Sequence, residues 1–269
     1  MKEFLVIGGG NMGYAIASGI ITTKCFKKQD ISFIEKDPKK TRFLKLNGFN
    51  VYNNLEQSSK DENYRIVLLA VKPKDIQEVC KKLKKTIRKN TLVVSIAAGV
   101  KIKKLSLGLN PTTPITRIMP NIPCQIGEGM SVIATNKYVS TDQKKIIRKI
   151  FNSIGKTSVM DEKYFDLVTA LSGSGPAYFC YLIEALISAG IKFGINNAVS
   201  NELVLQTALG TILQLQKQKL HPKTLRERVT SPKGTTEAAL TTLDKNNFHS
   251  IIYMAIKSAT NRAKELSKI

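Results

Sequence analysis

Short apolar runs separated by helical patterns set the rhythm of the first 160 residues. The clearest runs are FLVIG (4–8), ISFIE (31–35), IVLLAV (66–71) and LVVSIA (92–97), each nearly continuous in apolar residues, as strands covered on both faces require. Weaker runs at 115–119, 130–134 and 157–160 predict three more strands. Helices are predicted between them, one of them opened by Asp37 as N-cap and Pro38 in the first turn before KKTRFLKLNG. This alternation predicts a parallel sheet wrapped by helices. From about Asp161 the pattern changes: YFCYLIEALISAGIKFG, AVSNELVLQTALGTILQLQKQ and FHSIIYMAIKSATNRAKEL carry helical periodicity with no strand alternation. The chain is therefore read as an α/β domain over 1–160 and an all-helical domain over 161–269.

The second domain is unusually apolar. In AYFCYLIEALISAGI nearly every position is hydrophobic or small, and a helix apolar all round in a water-exposed domain must be buried on all sides. Five or six short helices supply few such positions, so the pattern predicts an obligate homodimer. No apolar run approaches the roughly 18 uninterrupted residues of a membrane span, and MKEFLVIGGG meets its glycines too early for a signal-peptide core. The expected compartment is the cytoplasm, with no membrane partner.

A net charge of +22 raises the question of nucleic acid. Its 42 basic residues are 34 lysines and 8 arginines, without basic–aromatic interleaving or a nucleic-acid motif, which argues against specific recognition. The run KKLKKTIRK (81–89), with Leu83 and Ile87 four apart, reads as the wet face of an amphipathic helix. Cys25, Cys80, Cys124 and Cys180 form no C-x-x-C pair, and with only His221 and His249 beside them no metal site is expected.

The first chemical motif is Gly8-Gly9-Gly10-Asn11-Met12-Gly13, a G-x-G-x-x-G directly after a predicted strand and opening a helix. Glycines there permit a tight turn, close backbone approach to a pyrophosphate and close helix–sheet packing, while the helix N-terminus attracts the anion. The first domain is accordingly a Rossmann-type dinucleotide-binding domain. Glu35 ends the second strand, where a carboxylate can bond adenosine ribose hydroxyls and repel a 2′-phosphate; Lys36 follows and can neutralise one. NADH and NADPH both stay open.

The blocks IGGGNMGYAI, LLAVKP, VVSIAAGV, RIMPNIP, LSGSGPAY and VTSPKGTT, taken together and in this order over about residues 3–266, resemble the pyrroline-5-carboxylate reductases. The pair SGSGPAY and SP-x-GTT carries the resemblance most specifically. It implies a Rossmann-type domain followed by a helical dimerisation domain interleaved with its twin, often assembled further into decamers, and reduction of a cyclic imino acid by NADH or NADPH.

By resemblance, Ser231, Gly234 and Thr235 would hold the substrate carboxylate and Thr236 the ring nitrogen, with Glu162 also near the substrate. Ala70, Lys72, Pro73 and Asn121 would line the nicotinamide half of the cofactor and Asn54 the adenine-side ribose, while Ala98, among small residues closing a strand, lets the cofactor approach. Two positions depart from the family: Lys233 stands where SP-G-G has its first glycine, and Ile122 where MPNTP has threonine. Related readings are a reductase of another cyclic imine or of a 2-keto or 2-hydroxy acid, and a cofactor-binding regulatory dimer without catalysis.

Overall fold

The computed structural model describes residues 3–22, 24, 26–59 and 64–268. Cys25 lies outside the described residues. The chain forms two compact units: one runs to Ser174 and resumes at Ala259, the other is Gly175–Ser258. The unit boundary thus falls after residue 174, so that residues 161–174 and the chain end belong with the sheet.

The first unit is built on eight strands: β1 (Phe4–Ile7), β2 (Ile31–Ile34), β3 (Asn50–Tyr52), β4 (Ile66–Leu69), β5 (Leu92–Ser95), β6 (Ile115–Met119), β7 (Gly129–Thr135) and β8 (Gly155–Val159). Their order is β3-β2-β1-β4-β5-β6-β7-β8. The first six are parallel, with Val6 of β1 in register with Phe33 on one side and Leu68 on the other. The helices are α1 (Asn11–Thr22), α2 (Pro38–Leu46), α3 (Leu55–Ser59), α4 (Ile76–Leu83), α5 (Ile102–Leu107), α6 (Thr141–Asn152) and α7 (Phe165–Val168). Side chains of β1, β2, β4 and β5 are all buried, and alternate residues feed two separate cores. One face joins Phe4, Val6, Phe33, Leu68 and Val94 to Ile16 and Ile20 of α1; the other joins Leu5, Ile7, Val67, Leu69 and Val93 to Ile76 and Leu83 of α4. Continuous apolar runs are what such two-sided burial demands.

Three details differ from the sequence pattern. β3 is an additional strand, three residues long at the sheet edge and incompletely buried, so it has no apolar run to betray it. β7 runs antiparallel to β6, with β8 parallel to β7. The link 120–128 is too short for the crossover that a parallel neighbour needs, roughly a dozen residues; it makes a tight 3-10 turn ended by Gly127 at φ 80°. Finally, α4 stops at Leu83, inside the lysine run, so the run is a helix end followed by turns.

The second unit holds α8 (Gly175–Lys192), α9 (Asn197–Gln218), α10 (Pro222–Arg228), α11 (Thr235–Lys245) and most of α12 (Phe248–Leu266). In the single chain its apolar side chains face outward: Phe179 is 61% exposed, Tyr181 77% and Tyr253 68%. Glu162–Lys192 contains a window long and apolar enough to cross a membrane by length and composition alone, with mean hydropathy 1.2, although Glu184 interrupts its apolar run. That stretch is broken by a π turn at Thr169–Gly173.

Candidate active site

The glycine-rich turn lies where β1 passes into α1, and each motif glycine answers a separate geometric demand. Gly8 has φ +105°, and a Cβ there would sit 2.5 Å from the Ala70 carbonyl oxygen. A Cβ on Gly13 would run into the Gly8 carbonyl oxygen. A Cβ on Gly10 would meet nothing within 4 Å. Gly10 therefore borders open space that a side chain would fill and an incoming group can use. The first hydrogen bond of α1 is Tyr14 N–H to the Gly10 carbonyl, so the amides of Asn11, Met12 and Gly13 precede the helical ladder. The first turn of α1 carries no acidic residue. This cradle suits the pyrophosphate of a nicotinamide dinucleotide.

At the end of β2 the Glu35 carboxylate accepts the Gly9 amide at 2.7 Å, and those of Lys36 and Asp37 at 2.8 and 2.9 Å. Three of its roughly four acceptor positions are thus used by backbone. Glu35 ties the glycine-rich turn to the start of α2, and Asp37 caps that helix through Lys39 and Lys40. Outside it lies a cleft lined by Lys36, Thr41, Arg42, Lys45 and Asn53. The neighbouring Asn54 caps α3 by accepting the Gln57 amide at 2.9 Å. Removing a fixed carboxylate beside these cations should favour a 2′-phosphate. Glu35→Ser is expected to raise the ratio of kcat/KM for NADPH over NADH roughly fivefold, from about 1 kcal/mol of near-surface repulsion. It is also expected to raise both KM values, because Gly9 loses its anchor. Steady-state kinetics with both nucleotides checks this; an unchanged ratio would show that the carboxylate does not sense the ribose.

The carboxyl ends of β4, β5 and β6 complete this edge, where ligands bind in open α/β sheets. Ala70 is half-buried and Lys72 and Pro73 are exposed. Ala98 is exposed beside Gly99, whose φ is +75°. Asn121 follows β6; its Oδ1 accepts the Met130 amide at 2.8 Å and its amide donates to Ser172 Oγ at 3.4 Å. Glu162 is placed elsewhere in this unit: one oxygen accepts both Arg117 Nη1 at 3.0 Å and the Ile102 amide at 2.7 Å. Arg117 is only 2% exposed, and its guanidinium lies 4.7 Å from the centre of the Phe165 ring. Arg117 is outside the predicted site residues, and the sign of it in the sequence is a lone arginine inside the apolar strand ITRIM, which points to a buried charged partner.

In the helical unit, residues 231–236 form a turn leading into α11. Gly234 is the N-cap and its amide returns to the Ser231 carbonyl at 3.0 Å; a Cβ on it would strike Ser231 Oγ. Ala238 is the first residue bonded back along the helix, to the Gly234 carbonyl at 3.2 Å, leaving the amides of Thr235, Thr236 and Glu237 at the helix mouth. Lys233 adopts φ 59°, and its amide donates to Glu237 Oε2 at 2.7 Å. Glycine tolerates that backbone at lower cost, by roughly 1 kcal/mol. Lys233→Gly is therefore expected to leave stability unchanged or slightly raised in thermal unfolding. It is expected to raise KM for an anionic substrate at low ionic strength, with the difference vanishing in high salt as the lysine charge is screened. Equal KM values at low salt would show that the ammonium takes no part in binding.

Burial pushes the Cys80 thiol up to about 12 and raises that of Cys124, so neither is poised as a thiolate nucleophile. Cys180 is exposed on α8. His221 caps α10 by accepting the Lys223 amide. Among the described residues no cluster of His, Cys, Asp or Glu could hold a metal ion.

A mostly parallel sheet with an open dinucleotide cradle at its carboxyl edge, joined to a separate helical unit with outward apolar faces, defines a two-domain nicotinamide-dependent oxidoreductase. Residues 162–266 match the family described as pyrroline-5-carboxylate reductase dimerisation, and residues 3–99 match NADP oxidoreductase, coenzyme F420-dependent. A pyrroline-5-carboxylate reductase of Synechocystis sp. is 36% identical, covering 98% of this chain and 97% of its own; one from Arabidopsis thaliana is 34% identical, covering 97% and 94%. Among solved structures, a pyrroline-5-carboxylate reductase from Coxiella burnetii superposes with TM-score 0.91 at 33% identity, over 100% of this chain and 99% of that one. The Plasmodium falciparum pyrroline carboxylate reductase with NADP bound superposes with TM-score 0.87 at 33% identity, covering 98% of each chain. The chain belongs to the pyrroline-5-carboxylate reductase family. It is an NAD(P)H-dependent oxidoreductase, and its dimerisation region makes it a homo-oligomer acting on a small molecule.

Proposed function

We propose that this protein reduces 1-pyrroline-5-carboxylate to L-proline, the closing step of proline biosynthesis, using NADH or NADPH. The observation that carries the reading is the full-length match: relatives with this activity in their names align over 98% of the chain, cradle and helical unit together.

When bound, the dinucleotide supplies the hydride. Gly8, Gly10, Asn11, Met12 and Gly13 hold its pyrophosphate, Glu35, Lys36 and Asn54 flank the adenosine ribose, and Ala70, Lys72, Pro73, Ala98 and Asn121 border the nicotinamide. In the helical unit, the Thr235 amide, Gly234 and Ser231 hold the substrate carboxylate at the mouth of α11, where charge-assisted bonds are worth roughly 1.5–3 kcal/mol each. Thr236 Oγ1 accepts the N–H of the protonated ring imine. That proton is already present on the imine from solvent, so no strong general acid is needed, and positioning carries most of the rate. One oxygen of the Glu162 carboxylate holds Arg117 Nη1 and the Ile102 amide, and in this reading the residue has a supporting place near the substrate. Functionally, 1–160 is the cofactor domain and 161–269 the dimerisation and substrate domain, assembled as a dimer and further as a decamer in the cytoplasm, without nucleic-acid or membrane partners.

Competition among substrates tests the reading. The five-membered imino acid is expected to exceed its six-membered homologue and any 2-keto acid in kcat/KM by at least ~10-fold, a methylene in a shaped site being worth roughly 1–3 kcal/mol. A preference for a 2-keto acid would replace this substrate with another.

A further inference from the structure

We propose that the pair formed by buried Arg117 and part-buried Glu162 is a positioning element of the reductase site, locking together the three chain segments that end at its cofactor edge; this rests on the functional reading above. Arg117 sits on β6, two residues before Met119 and four before Asn121. Glu162 heads the segment that leads through α7 to the π turn at Thr169–Gly173. The same Glu162 oxygen accepts Arg117 Nη1 and the first amide of α5, which follows the Ala98–Gly99 turn after β5. No side chain of α5's own N-cap, Lys101, serves that end, so Glu162 caps the helix from sixty residues away.

The three segments meet again nearer the edge. Asn121 donates to Ser172 in the π turn, and a Cβ on Gly173 would sit 2.5 Å from Met119 Cε. The Asn121–Ser172 hydrogen bond, with the Met119 side chain packed beside Gly173, links the 162–174 segment to the turn after β6. The pair is costly for stability alone. Arg117 is 2% exposed, and its Nη2 is buried without a hydrogen-bond partner in the structure. With Arg117 buried, one of its donors orphaned and Glu162 about a quarter exposed, the pair contributes little net stability compared with an apolar replacement, and registry is the best-attested use of such pairs. Here registry means the relative placement of the turns after β5 and β6 and of the π turn.

The test uses Arg117→Met, Glu162→Gln and the charge-balanced double variant in the full chain. The double variant removes the isolated buried charge that a single change leaves, and Arg117→Lys supplies a second folded comparison. Misplacement on the ångström scale costs on the order of 100-fold in rate, so kcat is expected to fall about 10- to 100-fold in each. The dissociation constant for the reduced nucleotide, read by its fluorescence, is expected to stay within about threefold of wild type, because the pyrophosphate cradle is untouched. The double variant should be no worse than the poorer single one, since the two residues act as a unit.

Amide hydrogen exchange gives a readout independent of turnover: protection should fall at residues 98–102, 119–130 and 169–174 while the strands β1, β2 and β4 keep theirs. Wild-type kcat and unchanged protection in the folded double variant would overturn the proposal. So would a raised KM for the imino acid in Glu162→Gln alone, which would mark direct substrate contact. A wild-type protein that binds nucleotide but does not reduce the imino acid would refute the functional reading, and the exchange pattern would still decide whether the pair positions these segments.

Discussion

Gly10→Val is expected to weaken binding of NADH and NADPH by on the order of 100-fold or more while the protein stays folded. A Cβ at this position meets nothing within 4 Å, so the fold has no atom against the branch point of the new side chain. What the valine fills is the approach to the amides of Asn11, Met12 and Gly13. Losing two charge-assisted bonds at roughly 1.5–3 kcal/mol each accounts for the magnitude. The contrast is Gly8→Val, which should damage the fold itself, because φ +105° and the Ala70 carbonyl exclude any side chain. Nucleotide titration and thermal unfolding of both variants separate the two effects. Undiminished nucleotide affinity in Gly10→Val would remove the cradle from the cofactor site.

Thr236→Val is expected to lower kcat/KM for the imino acid by about 5- to 150-fold, corresponding to roughly 1–3 kcal/mol for an unpaired polar group. Several threonines of the helical unit turn their hydroxyls onto their own backbone: Thr211 onto Thr207, Thr230 onto Arg226 and Thr242 onto Ala238. Among the described residues the half-buried Thr236 hydroxyl makes no such bond, which leaves it available at the mouth of α11. Valine keeps the shape and removes only the hydroxyl, so the midpoint of thermal unfolding should not move. Wild-type kinetics would take Thr236 out of the mechanism.

Much of the fold was legible because two-sided burial leaves a plain signal. The runs at 4–8, 31–35, 66–71 and 92–97 are the inner strands, and each strand ends one or two residues before the apolar run does. The leftover residues are Gly8, Glu35, Ala70, Val71, Ile96 and Ala97, which lie past the strand ends at the cofactor edge. What the pattern hid was short or set by tertiary contacts. β3 has three residues at the sheet edge, and the reversal at β7 depends on the length of a link rather than on any periodicity. At the site, local chemistry was readable: Gly10 needs open space and Lys233 takes a positive φ, both consequences of a few neighbouring residues. Partners distant in sequence were not. Glu35 reaches back 26 residues to Gly9, and Glu162 reaches 45 to Arg117, so neither carboxylate's occupation can be inferred from its own surroundings in the chain.

The outward apolar faces of α8, α9 and α12 have the same origin. Composition called for a burial partner, and the helical unit of one chain does not provide it. The family's dimerisation region, which spans 162–266, accounts for that demand.

Isotope transfer tests the reductase assignment most directly. Purified protein is supplied with 1-pyrroline-5-carboxylate and NADH or NADPH carrying deuterium at the transferring position, and the product is analysed by mass and by NMR. The prediction is L-proline with one deuterium per molecule, located on the ring carbon bonded to nitrogen and opposite the carboxylate-bearing carbon, with one reduced nucleotide consumed for each proline formed. Nucleotide binding without proline, or proline without the label, would contradict it.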